Sequence, residues 1–199
     1  MNFNLKVIDN AISVRYQEYI KETILGNVNW YYKNLSEDTP PGEEEHFVDV
    51  PGFSNVMFND AGMLNPRLFG LVMPLAHICC EHINFEIHQS YFVRTFLQQP
   101  WAGKSGISNP HVDMENEDHL VCLYYVMDAD GDTVFFDKMC ESDERPSFKE
   151  YNIIKSVTPK QGRVVLFNGR RYHANNLPQK HLRSVINFCL GGQFRESIS

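Results

Sequence analysis

From residue 84 onward the chain alternates short runs rich in β-branched and aromatic residues with compact turn signals, and no helical period intervenes. Residues 91–97, 120–127, 133–136, 152–157, 163–167 and 183–190 read as strands. Asp130-Gly131-Asp132, Lys160-Gln161-Gly162 and Asn168-Gly169 supply the turns. Parallel neighbours need crossovers of a dozen or more residues, usually a helix. Strands this closely spaced therefore predict an antiparallel sandwich or barrel.

The first part, residues 1–83, reads as helical. After Asp9, a residue suited to an N-cap, Ile12, Tyr16, Tyr19, Ile20 and Ile24 recur at helical spacing until Gly26. Asn65-Pro66 opens a second helix, since Pro is favoured at the first helical position, and Pro74 is expected to kink or restart it. Residues 35–46 form a polar, acidic loop. No linker separates these parts, and 199 residues fit one domain, 1–199, with helices packed outside a core at 84–199.

The 18 Lys+Arg against 25 Asp+Glu leave a net charge of -7, which gives no bulk attraction for phosphate backbones or anionic lipid. Arg170-Arg171 is at most a local basic patch. Five cysteines, two of them adjacent at Cys79 and Cys80, match no disulfide framework or zinc ribbon. They read as reduced side chains, and with no apolar leader at residues 1–10 the expectation is a soluble cytoplasmic protein.

His111-Val112-Asp113 is the one His-x-Asp or His-x-Glu in the chain. Residues two apart in an extended segment point the same way, so both side chains can reach one ion. With eight His, about 0.4 such pairs arise by chance. The context adds weight: His173 follows the 163–167 strand, and Arg183 comes ten residues later at the start of the last strand. A cation at that offset has a chance of roughly 0.1. Two histidines and a carboxylate are a ligand set for ferrous iron that leaves other positions open.

Residues 111–125, Gly131-Asp132-Thr133-Val134-Phe135 and residues 163–188 resemble the double-stranded β-helix, or jelly roll, of the Fe(II)- and 2-oxoglutarate-dependent oxygenases. The likeness is to the prolyl 4-hydroxylase-like branch, in its short phage and bacterial form. Val7-Ile8-Asp9-Asn10 and Trp30 resemble the opening of that branch. The resemblance implies a mainly β (α+β) fold in which His111, Asp113 and His173 ligate Fe(II), and Arg183 pairs with the C5 carboxylate of 2-oxoglutarate. It gives Tyr125, the second tyrosine of Tyr124-Tyr125, a bond to the same carboxylate; Tyr124 faces the other way by strand alternation. It also implies O2 as oxidant, ascorbate as a candidate reductant, and hydroxylation of a C–H bond with release of succinate and CO2. The substrate class is a peptidyl proline, a free amino acid or another small metabolite.

An intact Asp113 disfavours the halogenating variant of this superfamily. The acidic charge and the lack of a second arginine shortly after Arg183 disfavour a nucleobase demethylase. A cupin-like metal protein would use the same three ligands but leave Arg183 without a role, and a silent binding module would not need the ligands. His46, His77, His82, His88, His119 and His181 read as structural or surface residues. Trp101, Lys104 and residues 137–150 are candidate substrate-side loops by position.

Overall fold

The computed structural model describes residues 4–33, 47–48, 50–115, 117–141 and 146–195; the acidic loop at 35–46 and His46 lie outside them. The strands form two antiparallel sheets. The larger carries, in spatial order, β1 (Lys6–Ile8), β9 (Val164–Asn168), β6 (Leu120–Tyr125), β11 (Arg183–Phe194), β5 (Phe85–Gln98), β3 (Gly52–Asn59) and β2 (Tyr31–Lys33), with β4 (Gly62–Met63) paired to β3. The smaller runs β10 (Arg171–Asn175), β7 (Thr133–Met139), β8 (Ile153–Val157). This is the antiparallel architecture expected from strand spacing, in the jelly-roll form that the resemblance implies.

Strand alternation sorts the core into two layers. Leu120, Cys122 and Tyr124 of β6, with Leu166 of β9 and Ile186 and Phe188 of β11, face one way. Val121, Leu123 and Tyr125, with Val165, Phe167 and Val185, face the other. The first set packs beneath helices α1 (Val14–Gly26) and α2 (Pro66–Glu81), which bury Ile20, Ile24, Leu68, Val72 and Leu75 against it. The second set lies between the sheets, with Phe135 and Val157 of the smaller sheet. Burying a Leu, Ile or Phe contributes about 1.5–3 kcal/mol. These continuous apolar strands are therefore held by both faces at once.

Three details depart from the sequence reading. The N-cap of α1 is Ser13, whose side chain accepts from the Tyr16 N–H, while Asp9 forms a paired contact with Arg163 (2.6 and 3.0 Å) that ties β1 to the chain before β9. Helix α2 starts at Pro66 behind the Asn65 cap as expected, but it runs on through Pro74 to Glu81. Residues 1–83 are not only helical, since β1, β2, β3 and β4 all join the large sheet. All five cysteines are buried and none forms a disulfide. Among the described residues no helix is long and apolar enough to cross a membrane.

Candidate active site

Two histidines meet across the mouth of the smaller sheet. The segment ending at His111 joins β10 through isolated bridges Ile107↔Asn176 and His111↔His173. The histidine pair exchanges both backbone bonds, at 2.9 and 3.0 Å, so the two side chains emerge on one face. Asp113 reaches the same point. Its Oδ2 lies 3.6 Å from His173 Nε2, and one ligand atom from each of the three residues falls within 4.8 Å of the others.

The hydrogen bonds fix the tautomer of each neutral imidazole. His111 Nδ1 lies 3.0 Å from the Asn109 carbonyl and His173 Nδ1 lies 3.1 Å from the Arg171 carbonyl. A carbonyl can only accept, so each Nδ1 carries the proton and each Nε2 presents a lone pair. Burial, helped by the neighbouring His111, pushes His173 down to about 4 against the pull of Asp113. Burial would raise the Asp113 carboxyl, but His173, Arg94, His111 and the Asn187 hydrogen bond together hold it well below the usual carboxylate range. At neutral pH His173 is uncharged and Asp113 ionised, the states that bind a cation.

The Asp113 side chain is 1 % exposed, and its two oxygens are treated differently. Oδ1 accepts from Arg94 Nη2 and Asn187 Nδ2, both at 2.8 Å. Oδ2 is buried with no hydrogen-bond partner among the described residues. An orphaned buried acceptor costs about 1–3 kcal/mol, more when charged. Two imidazole lone pairs and this oxygen converge as a divalent transition-metal ion needs, so the residues fit such a group.

Arg183 opens β11 and is 4 % exposed. Nε donates to the Gly131 carbonyl (2.8 Å), Nη1 to Gln98 Oε1 (2.9 Å) and Nη2 to Thr133 Oγ1 (2.9 Å). Among the described residues no carboxylate forms an ion pair with it. Burial draws its pKa down, yet a guanidinium stays charged. Of its five N–H groups, two remain to face an anion.

Tyr125 stands one hydrogen bond back from this end. Its hydroxyl donates to Thr133 Oγ1 at 2.7 Å, and its ring lies 5.9 Å from the Arg183 guanidinium. Burial raises the Tyr125 pKa despite Arg183 and Thr133, so the phenol keeps its proton. Thr133 Oγ1 thus accepts from both Tyr125 and Arg183, which leaves its own proton to donate elsewhere.

One cavity of about 250 Å³ joins the two ends. His111, Asp113, His173, Arg94 and Asn187 line one part, and Arg183, Thr133, Gln98, Ser108 and Asn175 another. The large sheet supplies much of this wall in register, since Asn187 pairs with Arg94 and Arg183 with Gln98 across β11 and β5. Tyr125 is not among the lining residues, whereas Leu123 is. The sequence reading brought together His111, Asp113, His173 and Arg183 but missed Arg94, Asn187, Gln98 and Thr133. Their cue was phase: Arg94, Phe96 and Gln98, and Arg183, Val185 and Asn187, are alternate positions of their strands.

Other positions stay out of the site. His77, His82, His88 and His181 are exposed, and His119 is buried against Gly169. Trp101 and Lys104 stack on each other at 4.6 Å without lining the cavity. Arg170 and Arg171 are engaged by the carbonyls of Cys140, Glu115 and Phe136, so they form no free basic patch.

No known family model and no curated protein matches the sequence. Solved structures do resemble it. An oxidoreductase of the 2OG-Fe(II) oxygenase family from Burkholderia pseudomallei is 10 % identical, with a TM-score of 0.65 over 97 % of this chain and 89 % of that one. A prolyl-4-hydroxylase from Pseudomonas putida is 9 % identical, with a TM-score of 0.57 over 95 % and 93 %. The epimerase SnoN of nogalamycin biosynthesis, solved with Fe3+, alpha ketoglutarate and nogalamycin RO, is 11 % identical, with a TM-score of 0.61 over 96 % and 81 %. At such identities the likeness is one of fold: the chain has the jelly roll on which 2-oxoglutarate–Fe(II) oxygenases are built.

Proposed function

We propose that the protein is an Fe(II)- and 2-oxoglutarate-dependent dioxygenase. The observation that carries this reading is one cavity holding both a three-ligand cluster with an orphaned carboxylate oxygen and a buried arginine that, among the described residues, has no carboxylate partner. When bound, ferrous iron and 2-oxoglutarate activate O2 for C–H oxidation and release succinate and CO2. His111 and His173 offer Nε2 and Asp113 offers Oδ2, leaving the remaining positions of a cation open. Arg183 directs its two remaining N–H groups at a carboxylate in a bidentate pair. Thr133 donates its hydroxyl proton to the same carboxylate, and Tyr125 acts through Thr133. Leu123 and Val185 give the wall an apolar surface that limits water.

For the substrate we favour hydroxylation of a prolyl residue or an amino-acid-like molecule, by analogy with prolyl hydroxylases of this fold. The partner is then a peptide or small molecule. The acidic charge argues against bulk nucleic-acid binding, ascorbate is a candidate reductant, and buried reduced thiols suit a cytoplasmic setting. A cupin-like metal protein without cosubstrate, or a silent module, would leave the buried Arg183 unexplained.

The test is anaerobic addition of 2-oxoglutarate to the Fe(II)-loaded protein, followed by visible spectroscopy. Wild type should develop the weak charge-transfer band of the chelate. His173→Ala should abolish it, and Arg183→Ala should demand far more cosubstrate. Metal binding with no band at any concentration favours the cupin-like reading, and no metal binding at all removes the proposal.

A further inference from the structure

We infer that Arg94, with Asn187, is a positioning residue that assigns Asp113 a single ligand oxygen. This rests on the metal-site half of the proposed function. A free carboxylate can grip a cation through both oxygens and so occupy two coordination positions. Here Oδ1 is taken: Arg94 Nη2 and Asn187 Nδ2 both donate to it at 2.8 Å, and Oδ2 alone is left over. Because a carboxylate only accepts, Asn187 must turn its Nδ2 toward it. With one ligand oxygen from Asp113 beside the two histidines, a bound ion would keep positions open for a two-point chelate and one further small molecule.

The two donors are built to hold still. Arg94 and Asn187 are partners across the β5–β11 ladder, so they approach Asp113 from adjacent central strands. The guanidinium lies 4.8 Å from the Phe92 ring centroid and 4.4 Å from that of Phe96, and those aromatic faces fix its plane. Neither residue belongs to the segment that carries the ligands. The large sheet thereby sets the orientation of a carboxylate borne by a loop.

The experiment titrates Co(II) into the metal-free full chain and follows visible absorption, which reports both affinity and coordination geometry. Arg94→Gln and Asn187→Ala should each bind Co(II) about 10- to 100-fold more weakly. The spectrum should also change as Asp113 becomes free to chelate through both oxygens, and Arg94→Lys should recover part of the affinity. Metal-free unfolding temperatures show whether each variant is folded. If Arg94→Gln does not fold, Asn187→Ala decides, since it removes the other bond to Oδ1. Wild-type affinity and an unchanged spectrum in the folded variants would overturn the inference. Co(II) alone is the probe, so this result is independent of cosubstrate. A wild type that binds Co(II) but forms no Fe(II)–2-oxoglutarate band would defeat the oxygenase reading and leave Arg94 still testable.

Discussion

The imidazole rings of His111 and His173 lie 4.6 Å apart because their residues are opposite one another in a doubly hydrogen-bonded pair. One partner belongs to β10 and the other to a segment joined to it by isolated bridges and by the hydrogen bonds of Ser108 with Asn175. A bound ion would therefore staple that segment to the smaller sheet as well as complete the ligand set.

Divalent metal should stabilise the fold measurably. At a free concentration 100 times Kd the gain is about 2.7 kcal/mol, which for a chain of this size raises Tm by about 5–10 °C. Thermal unfolding with Mn(II) should show this increment in wild type and its loss in His111→Ala and His173→Ala. An equal increment in both variants would mean the metal binds elsewhere.

Thr133→Val and Tyr125→Phe separate direct from indirect contact with the cosubstrate. The valine removes the acceptor shared by Arg183 and Tyr125, strands one buried Arg183 N–H, leaves the Tyr125 hydroxyl only the Val157 carbonyl at 3.4 Å, and costs about 1–3 kcal/mol. It should weaken 2-oxoglutarate binding more than Tyr125→Phe does, as read by titration of the charge-transfer band. The reverse order would place the Tyr125 hydroxyl itself on the carboxylate.

Asp130 clamps the loop that delivers Arg183. Its carboxylate accepts from the N–H groups of Gln179, Lys180 and His181 at 2.9, 2.9 and 3.1 Å. Burial would raise its pKa, but these backbone donors outweigh that and lower it below 3.8. A depressed folded-state pKa means the contribution is present above 3.8 and is lost as pH falls below it, because the unfolded chain takes up the proton first. Asp130→Asn should cost about 1–2 kcal/mol at pH 7, and urea unfolding should find that difference shrinking as pH drops through 3.8 and below. A difference constant with pH would mean the carboxylate charge does not hold the loop.

Gly131→Ala should disturb the same arginine from the other side. A Cβ there would sit 2.8 Å from the Asn176 carbonyl oxygen and 3.0 Å from Arg183 Cδ. The crowding should cost about 1–3 kcal/mol and raise the 2-oxoglutarate concentration needed for half-saturation. A variant with wild-type cosubstrate affinity would show that Arg183 tolerates displacement.

The strands buried on both faces were legible because continuous apolar runs such as 120–125 and 164–167 leave few other readings. β3 was not, since Gly52, Ser54 and Asn55 dilute its pattern and its burial comes from pairing with β5. β10 was missed for a related reason. Arg171, His173 and Asn175 look like a polar turn, and only the facing β7 and the cavity explain why His173 and Asn175 are buried. Part of the three-residue cluster was readable from spacing, since His111 and Asp113 are two apart and His173 stands ten residues before Arg183, whereas the long stretch between Asp113 and His173 is closed by the fold. Arg94 was not, because a charged residue in a strand ordinarily faces solvent, and its partner Asp113 is brought to it by tertiary structure alone.

Asn187 and Arg183 lie four residues apart on β11, matched by Arg94 and Gln98 on β5. At the rise of an extended chain their Cα atoms are about 13 Å apart. The sheet therefore acts as a ruler, with a graduation set by backbone geometry rather than by any side chain. Inserting one residue between the marks would turn one end of the cavity wall to the opposite face. Inserting two would restore the facing and lengthen the interval by about 7 Å, tuning the same fold to a longer dicarboxylate.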